Sequence, residues 1–131
     1  MDIKSVDERS RNMAAIKSKN TKPEITLRKL LFKRGLRYRI HYNLTGKPDI
    51  VFPGKKVAVF IDGCFWHACP VCYREPNSNK EFWRTKINTN IRRDIVVNRK
   101  LANLGWVVVR IWEHEIKKDI EGAVRRIMDR M

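Results

Sequence analysis

No apolar run in the sequence is longer than the five residues 57–61, against the roughly 20 that a bilayer-crossing helix requires. The opening Met1-Asp2-Ile3-Lys4 lacks the apolar core of an export signal. A cytoplasmic chain with no membrane association is expected. Acidic side chains are scarce, 14 Asp and Glu against 29 Lys and Arg. There is no internal repeat, low-complexity tract or domain boundary, which excludes solenoids and linker-joined arrays. Cysteine is confined to three residues between positions 64 and 72. An odd number at tight spacing in a chain without an export signal speaks for a metal rather than a disulfide framework.

What is present suits one folded domain over residues 1–131, with 43% hydrophobic and 33% charged residues. The formal net charge of +15 calls for a polyanion. The excess is spread along the chain: residues 4–39 hold twelve Lys or Arg against three acids, and residues 80–100 hold seven against two. Nucleic acid is the expected partner, although a ribosomal or membrane-surface protein shows the same balance.

Hydropathy patterning predicts an α/β fold, a small central mixed sheet flanked by helices. Residues 9–18 read as a short basic helix with Met13 and Ile16 on one face. Thr21-Lys22-Pro23-Glu24 reads as a capping box with proline in the first turn, opening a helix through Leu27, Leu30 and Leu31 that stops near Gly35. Residues 37–42 and 49–52 are strand-like. Pro53-Gly54 then turns the chain into a buried strand, Val57–Asp62, to make a hairpin. A long helix is expected over residues 81–104, ended by Gly105, then a strand over 106–112 and an amphipathic helix over 116–131.

Two clusters carry chemistry. Cys64, Cys69 and Cys72 place three thiolates within one loop. Zinc takes four such ligands in a tetrahedron, and the fourth is left among His41, His67 and His114. His114 lies just past a strand end from which it can return to the loop. A closed set of four is structural rather than catalytic. Separately, Asp49 opens one strand of the hairpin and Asp62 closes its partner, so the two acids can converge on a divalent cation. A Pro-Asp pair alone reads as a turn with a solvated carboxylate.

The run Asp62-Gly63-Cys64-Phe65-Trp66-His67, the Asn12-Met13 segment, Glu81-Phe82-Trp83 and Trp112-Glu113 resemble the very-short-patch repair (Vsr) mismatch endonucleases, in unbroken order over residues 9–115. That resemblance implies a restriction-endonuclease-like fold, a structural zinc and a magnesium-dependent nick in one strand, 5′ of the mispaired thymine of a T·G mismatch. By position, Asp49 corresponds to the metal-binding aspartate, the backbone carbonyl of Ile61 to a further magnesium ligand, His67 to the histidine activating water, and Asp94 to the carboxylate orienting it. Glu24 corresponds to a glutamate near the metal waters. Phe65, Trp66 and Trp83 correspond to aromatics that wedge into the base stack, and Met13 and Ile16 to a helix entering from the opposite groove. The zinc set implied is Cys64, Cys69, Cys72 and His114.

The pattern also departs from the family. Cys69 replaces a histidine, one extra residue separates it from Cys72, His114 stands where a cysteine is usual, and Asp62 stands where the family has histidine. A carboxylate at position 62 adds negative charge near Asp49 and either binds metal or changes the metal preference. The partner implied is mismatched duplex DNA, with mismatch-repair proteins as further candidates, in a prokaryotic cytoplasm at the nucleoid. A monomer is the expectation for a one-strand nick. The competing expectations are a restriction-type nuclease cutting matched duplex and a non-catalytic, zinc-stapled DNA-binding protein.

Overall fold

The structure, a computed structural model, describes residues 21–64, 67, 69–70 and 73–131. The expected basic helix of residues 9–18 lies outside the described residues. The first described helix, α1 (Lys22–Lys33), starts where the capping box puts it. The Thr21 hydroxyl accepts from the Glu24 N–H, and the Glu24 carboxylate accepts from the Thr21 N–H at 3.2 Å. It ends at Arg34, and Gly35 at φ +85° turns the chain out.

Strands β1 (Ile50–Phe52) and β2 (Val57–Asp62) pair antiparallel with Ile50 opposite Val59. A 3-10 turn over Pro53–Lys55 joins them. Helix α2 (Lys80–Asn103) is the crossover that brings β3 (Val107–Trp112) parallel to β2, giving the order β1-β2-β3. The strand expected over residues 37–42 is corrected to one bridge, Arg39 to Val51. His41 at φ +55° breaks the extended run before a second pair can form. The single terminal helix is likewise corrected to two, α3 (Glu113–Lys118) and α4 (Ile120–Met128). Asp119 interrupts them in an extended conformation and caps α4, its carboxylate accepting from the Gly122 N–H at 3.0 Å.

Strand alternation supplies two cores. Val57, Val59 and Ile61 of β2 join Val109 and Ile111 of β3, Leu27 and Leu31 of α1, Ile116 of α3, and Val124 and Ile127 of α4. Ala58 and Phe60 point the other way and meet Val97 and Leu101 of α2. The sheet is therefore covered on both faces, and every residue of β2 is buried. No described helix is long and apolar enough to cross a membrane.

Gly46 locks the loop before β1 against α2. It holds φ +78°, and a Cβ there would lie 2.4 Å from Cγ1 of Val97. Gly35 holds a similar φ of +85° with nothing within 4 Å of the same position. Both alanine variants should lose about 1–2 kcal/mol to the left-handed backbone, and Gly46→Ala alone a further ~1–3 kcal/mol to overpacking. Urea unfolding checks this. Equal losses would mean that Val97 gives way freely.

Candidate active site

The chemistry-bearing residues gather at the carboxyl ends of the parallel pair β2 and β3, where open α/β sheets commonly carry their sites. On the α1 side, Asp49 directly precedes β1. Its carboxylate accepts from the Ile61 N–H at 2.7 Å, and its own N–H donates to the Val59 carbonyl at 3.0 Å. Glu24 is 4% exposed and faces it from α1. Burial, with Glu24 and Asp62 nearby, pushes the Asp49 carboxyl up to about 7 despite the Ile61 hydrogen bond. Beside it opens a cleft of about 260 Å³ whose walls include Arg28, His41 and Lys47 as well as both acids. Glu24 thus both caps α1 and faces Asp49.

On the α2 side, His67 Nδ1 makes a very short hydrogen bond with Asp94. The Nε2 atom of the same ring lies 3.9 Å from Asp62. Burial works against the imidazolium, but the Asp94 hydrogen bond and the charges of Asp62 and Asp94 outweigh it and hold the His67 pKa above its ordinary value. Asp62 is 6% exposed. Burial raises its pKa, opposed by Arg110 and His67. The ligand-type atoms of Asp62, His67 and Asp94 lie within 4.8 Å of one another, and Asp49 stands outside that group with Glu24. Asp62 therefore sits in the histidine half of the site, with its charge still felt at Asp49.

The cysteine loop returns to the start of α3. His114 Nδ1 lies 3.5 Å from Cys64 Sγ and 3.3 Å from Cys69 Sγ. Zinc–sulfur and zinc–nitrogen bonds of tetrahedral sites imply a sulfur-to-nitrogen edge of about 3.5 Å, a spacing that these two distances fit, and the three groups could hold a metal ion. The candidates His41 and His67 lie elsewhere, in the cleft and against Asp94. Cys72, Phe65, Trp66, Met13 and Ile16 lie outside the described residues. Trp83 packs edge-on against Phe82, ring centroids 5.0 Å apart, and Phe82 is 58% exposed on α2.

Two further residues enter the site without having been expected there. Arg110 ion-pairs with Asp62 and Asp94 from β3. Its signal was an arginine inside an apolar strand, a position that burial tolerates only with a partner. Glu113, at the first turn of α3, is half-buried. Burial raises its carboxyl, opposed by Lys117 and His67, with Glu24 adding to the rise. Its segment, Trp112-Glu113, is one of those that resemble the Vsr family, a signal that came with no role for Glu113 itself.

Comparison with known proteins adds relatives to this geometry. The family described as DNA mismatch endonuclease Vsr matches residues 1–74. Type II nicking enzyme V.NaeI of Lentzea aerocolonigenes is 52% identical over 122 residues, covering 88% of this chain and 74% of that protein. Type II nicking enzyme V.NmeDIP of Neisseria meningitidis serogroup C is 44% identical over 130 residues, covering 97% and 88%. DNA mismatch endonuclease Vsr of Escherichia coli K12 is 38% identical over 115 residues, covering 86% and 73%.

The raised Asp49 carboxyl has a consequence for stability. An acid whose pKa is higher folded than unfolded favours the native state most below its unfolded value. That advantage is lost as pH climbs from about 4 to about 7. In metal-free protein, Asp49→Asn should therefore raise the melting temperature at pH 8 and change it little at pH 4. An equal shift at both values would show that charge burial is not what Asp49 costs.

Proposed function

The chain belongs to the Vsr family of DNA mismatch endonucleases, and on that premise we propose that this DNA-nicking endonuclease uses magnesium to cut one strand 5′ of the mispaired thymine in a T·G mismatch. The observation that carries the reading is the His67–Asp94 pair, set across the end of β2 from the Asp49–Glu24 pair. Its fold reads as restriction-endonuclease-like and its substrate as duplex DNA in the prokaryotic nucleoid. It acts as a monomer, with mismatch-repair proteins as candidate partners.

Two buried acids face each other at Asp49 and Glu24, an all-oxygen donor set suited to a hard cation. Asp49, with the main-chain carbonyl of Ile61, is the pair to hold magnesium. When bound, the ion would polarise the scissile phosphate and favour hydroxide at neutral pH. His67 Nδ1 donates to Asp94, which fixes the tautomer and leaves Nε2 to accept the proton of the attacking water. The hydroxide oxygen bonds to phosphorus, the bond to the 3′ oxygen breaks, and the products are a 3′-hydroxyl and a 5′-phosphate. Phe65, Trp66 and Trp83, with Met13 and Ile16 from the opposite groove, open the mispaired step, which costs less to unstack than a matched one.

Cys64, Cys69, Cys72 and His114 hold a structural zinc that ties the loop bearing His67 to the start of α3. Stripping zinc with a strong chelator should unfold that loop and lower the melting temperature, because the binding free energy of a structural zinc is part of the folding free energy. Unchanged circular dichroism and melting after verified metal loss would remove zinc from the reading.

End-labelled duplexes carrying T·G, U·G or matched T·A at one position, with and without magnesium, test the activity. Nicking confined to the mispaired strand and abolished by Asp49→Asn is expected. Equal cutting of matched duplex would identify a restriction-type nuclease, and binding without cutting a DNA-binding module.

A further inference from the structure

We propose that Arg110 is a positioning residue for the nicking reaction: its guanidinium ties Asp62 to Asp94, orients the carboxylate that holds His67, and keeps Asp62 away from Nε2. The proposal rests on His67 and Asp94 doing the chemistry proposed above.

The sheet register brings these groups together. Phe60 and Arg110 are partners across β2 and β3, and Asp62 and Trp112 are the next same-face pair. Both strands direct these positions toward α2, the face on which Ala58 and Phe60 meet Val97 and Leu101. Asp94 and Asn98 stand one turn apart on α2, at the i, i+4 spacing that places two side chains on one face.

Arg110 reaches across this corner through Nε, Nη1 and the face of its guanidinium. Its guanidinium lies 4.2 Å above the Phe60 ring. Nε donates to the Asn98 side-chain oxygen at 2.7 Å, and Nη1 to Asp62 Oδ1 at 2.9 Å. The same nitrogen is 3.5 Å from Asp94 Oδ1. The other Asp94 oxygen, Oδ2, is the one bonded to His67 Nδ1. Both oxygens of Asp94 are therefore engaged, which resists rotation of the carboxylate and with it tilting of the imidazole.

Arg110 also restrains a competitor. Asp62 Oδ1 already lies 3.9 Å from His67 Nε2, the nitrogen required to take a proton from water. Without its cation, a buried carboxylate has every electrostatic reason to turn onto that ring nitrogen and occupy it. Asp62 is in this account the counter-ion of Arg110, so that the departure from histidine at position 62 and the arginine within β3 form one device. Lysine cannot reproduce it, since a single ammonium lacks the planar fork that engages Asn98 and the acids together.

Single-turnover nicking of a T·G duplex at saturating enzyme, with duplex affinity measured separately without magnesium, tests this in the whole chain. Arg110→Met should lower the rate on the order of 10²-fold, the scale of a small misplacement of reacting groups, with affinity little changed. Arg110→Lys should fall between. Adding Asp62→Asn to Arg110→Met should recover about tenfold, as expected when a coupled pair is removed together. A lowered melting temperature with a wild-type rate in the folded enzyme would overturn the proposal. So would a double variant no faster than Arg110→Met, the result expected if Asp62 itself binds metal. His67→Ala serves as the reference. If it nicks normally, the reading of the site has failed and the role of Arg110 falls with it. If His67→Ala is inactive while Arg110→Met keeps the full rate, only the proposal fails.

Discussion

Strand β2 is paired on both edges and covered on both faces, and its register decides where every group of the site lies. Ile61 turns its side chain into one core while its N–H reaches Asp49. Its neighbour Asp62 turns the other way, toward His67 and Arg110. A slip of one residue against β3 would exchange the two faces, separate Asp62 from Arg110 and drive a carboxylate into the apolar core. The large aliphatic residues at 57, 59 and 61 make that slip costly.

Electrostatics at this corner run against the rest of the molecule. A chain of net charge +15 places Glu24, Asp49, Asp62, Asp94 and Glu113 near one strand end. The broad positive field favours approach of a phosphate backbone. The local acids oppose it unless cations intervene. Arg110 supplies one such cation to the Asp62–Asp94 half. On the other half, Asp49 and Glu24 face each other, and burial, with Glu24 beside it, raises the Asp49 carboxyl.

Much of this was legible in the residues themselves. The capping box at Thr21 and Glu24, the hairpin turn at Pro53–Lys55 and the termination of α2 before Gly105 are local chemistry, set within a few residues. Three cysteines and a histidine within reach offered a metal site, and Cys64, Cys69 and His114 do come together. Residues 37–42 misled because alternating side chains describe a strand's face but not whether a partner lies beside it. There the partner is a single pair at Arg39 and Val51. The terminal helix misled because its apolar spacing continues across Asp119, whose cap to Gly122 divides it.

By itself, the sequence determined the start of α1 and the end of α2, the alternation of the strands, the excess of positive charge and the residue types that can hold metal. All of these depend on neighbours a few positions apart or on composition. Tertiary structure alone decided that Glu24 faces Asp49, that Arg110 stands beside Asp62, and that Glu113 lies near His67. Arg110 and Asp62 are 48 residues apart in the chain. Their meeting follows from the handedness and length of the crossover through α2, which sets one register among several that the pattern of apolar residues permits.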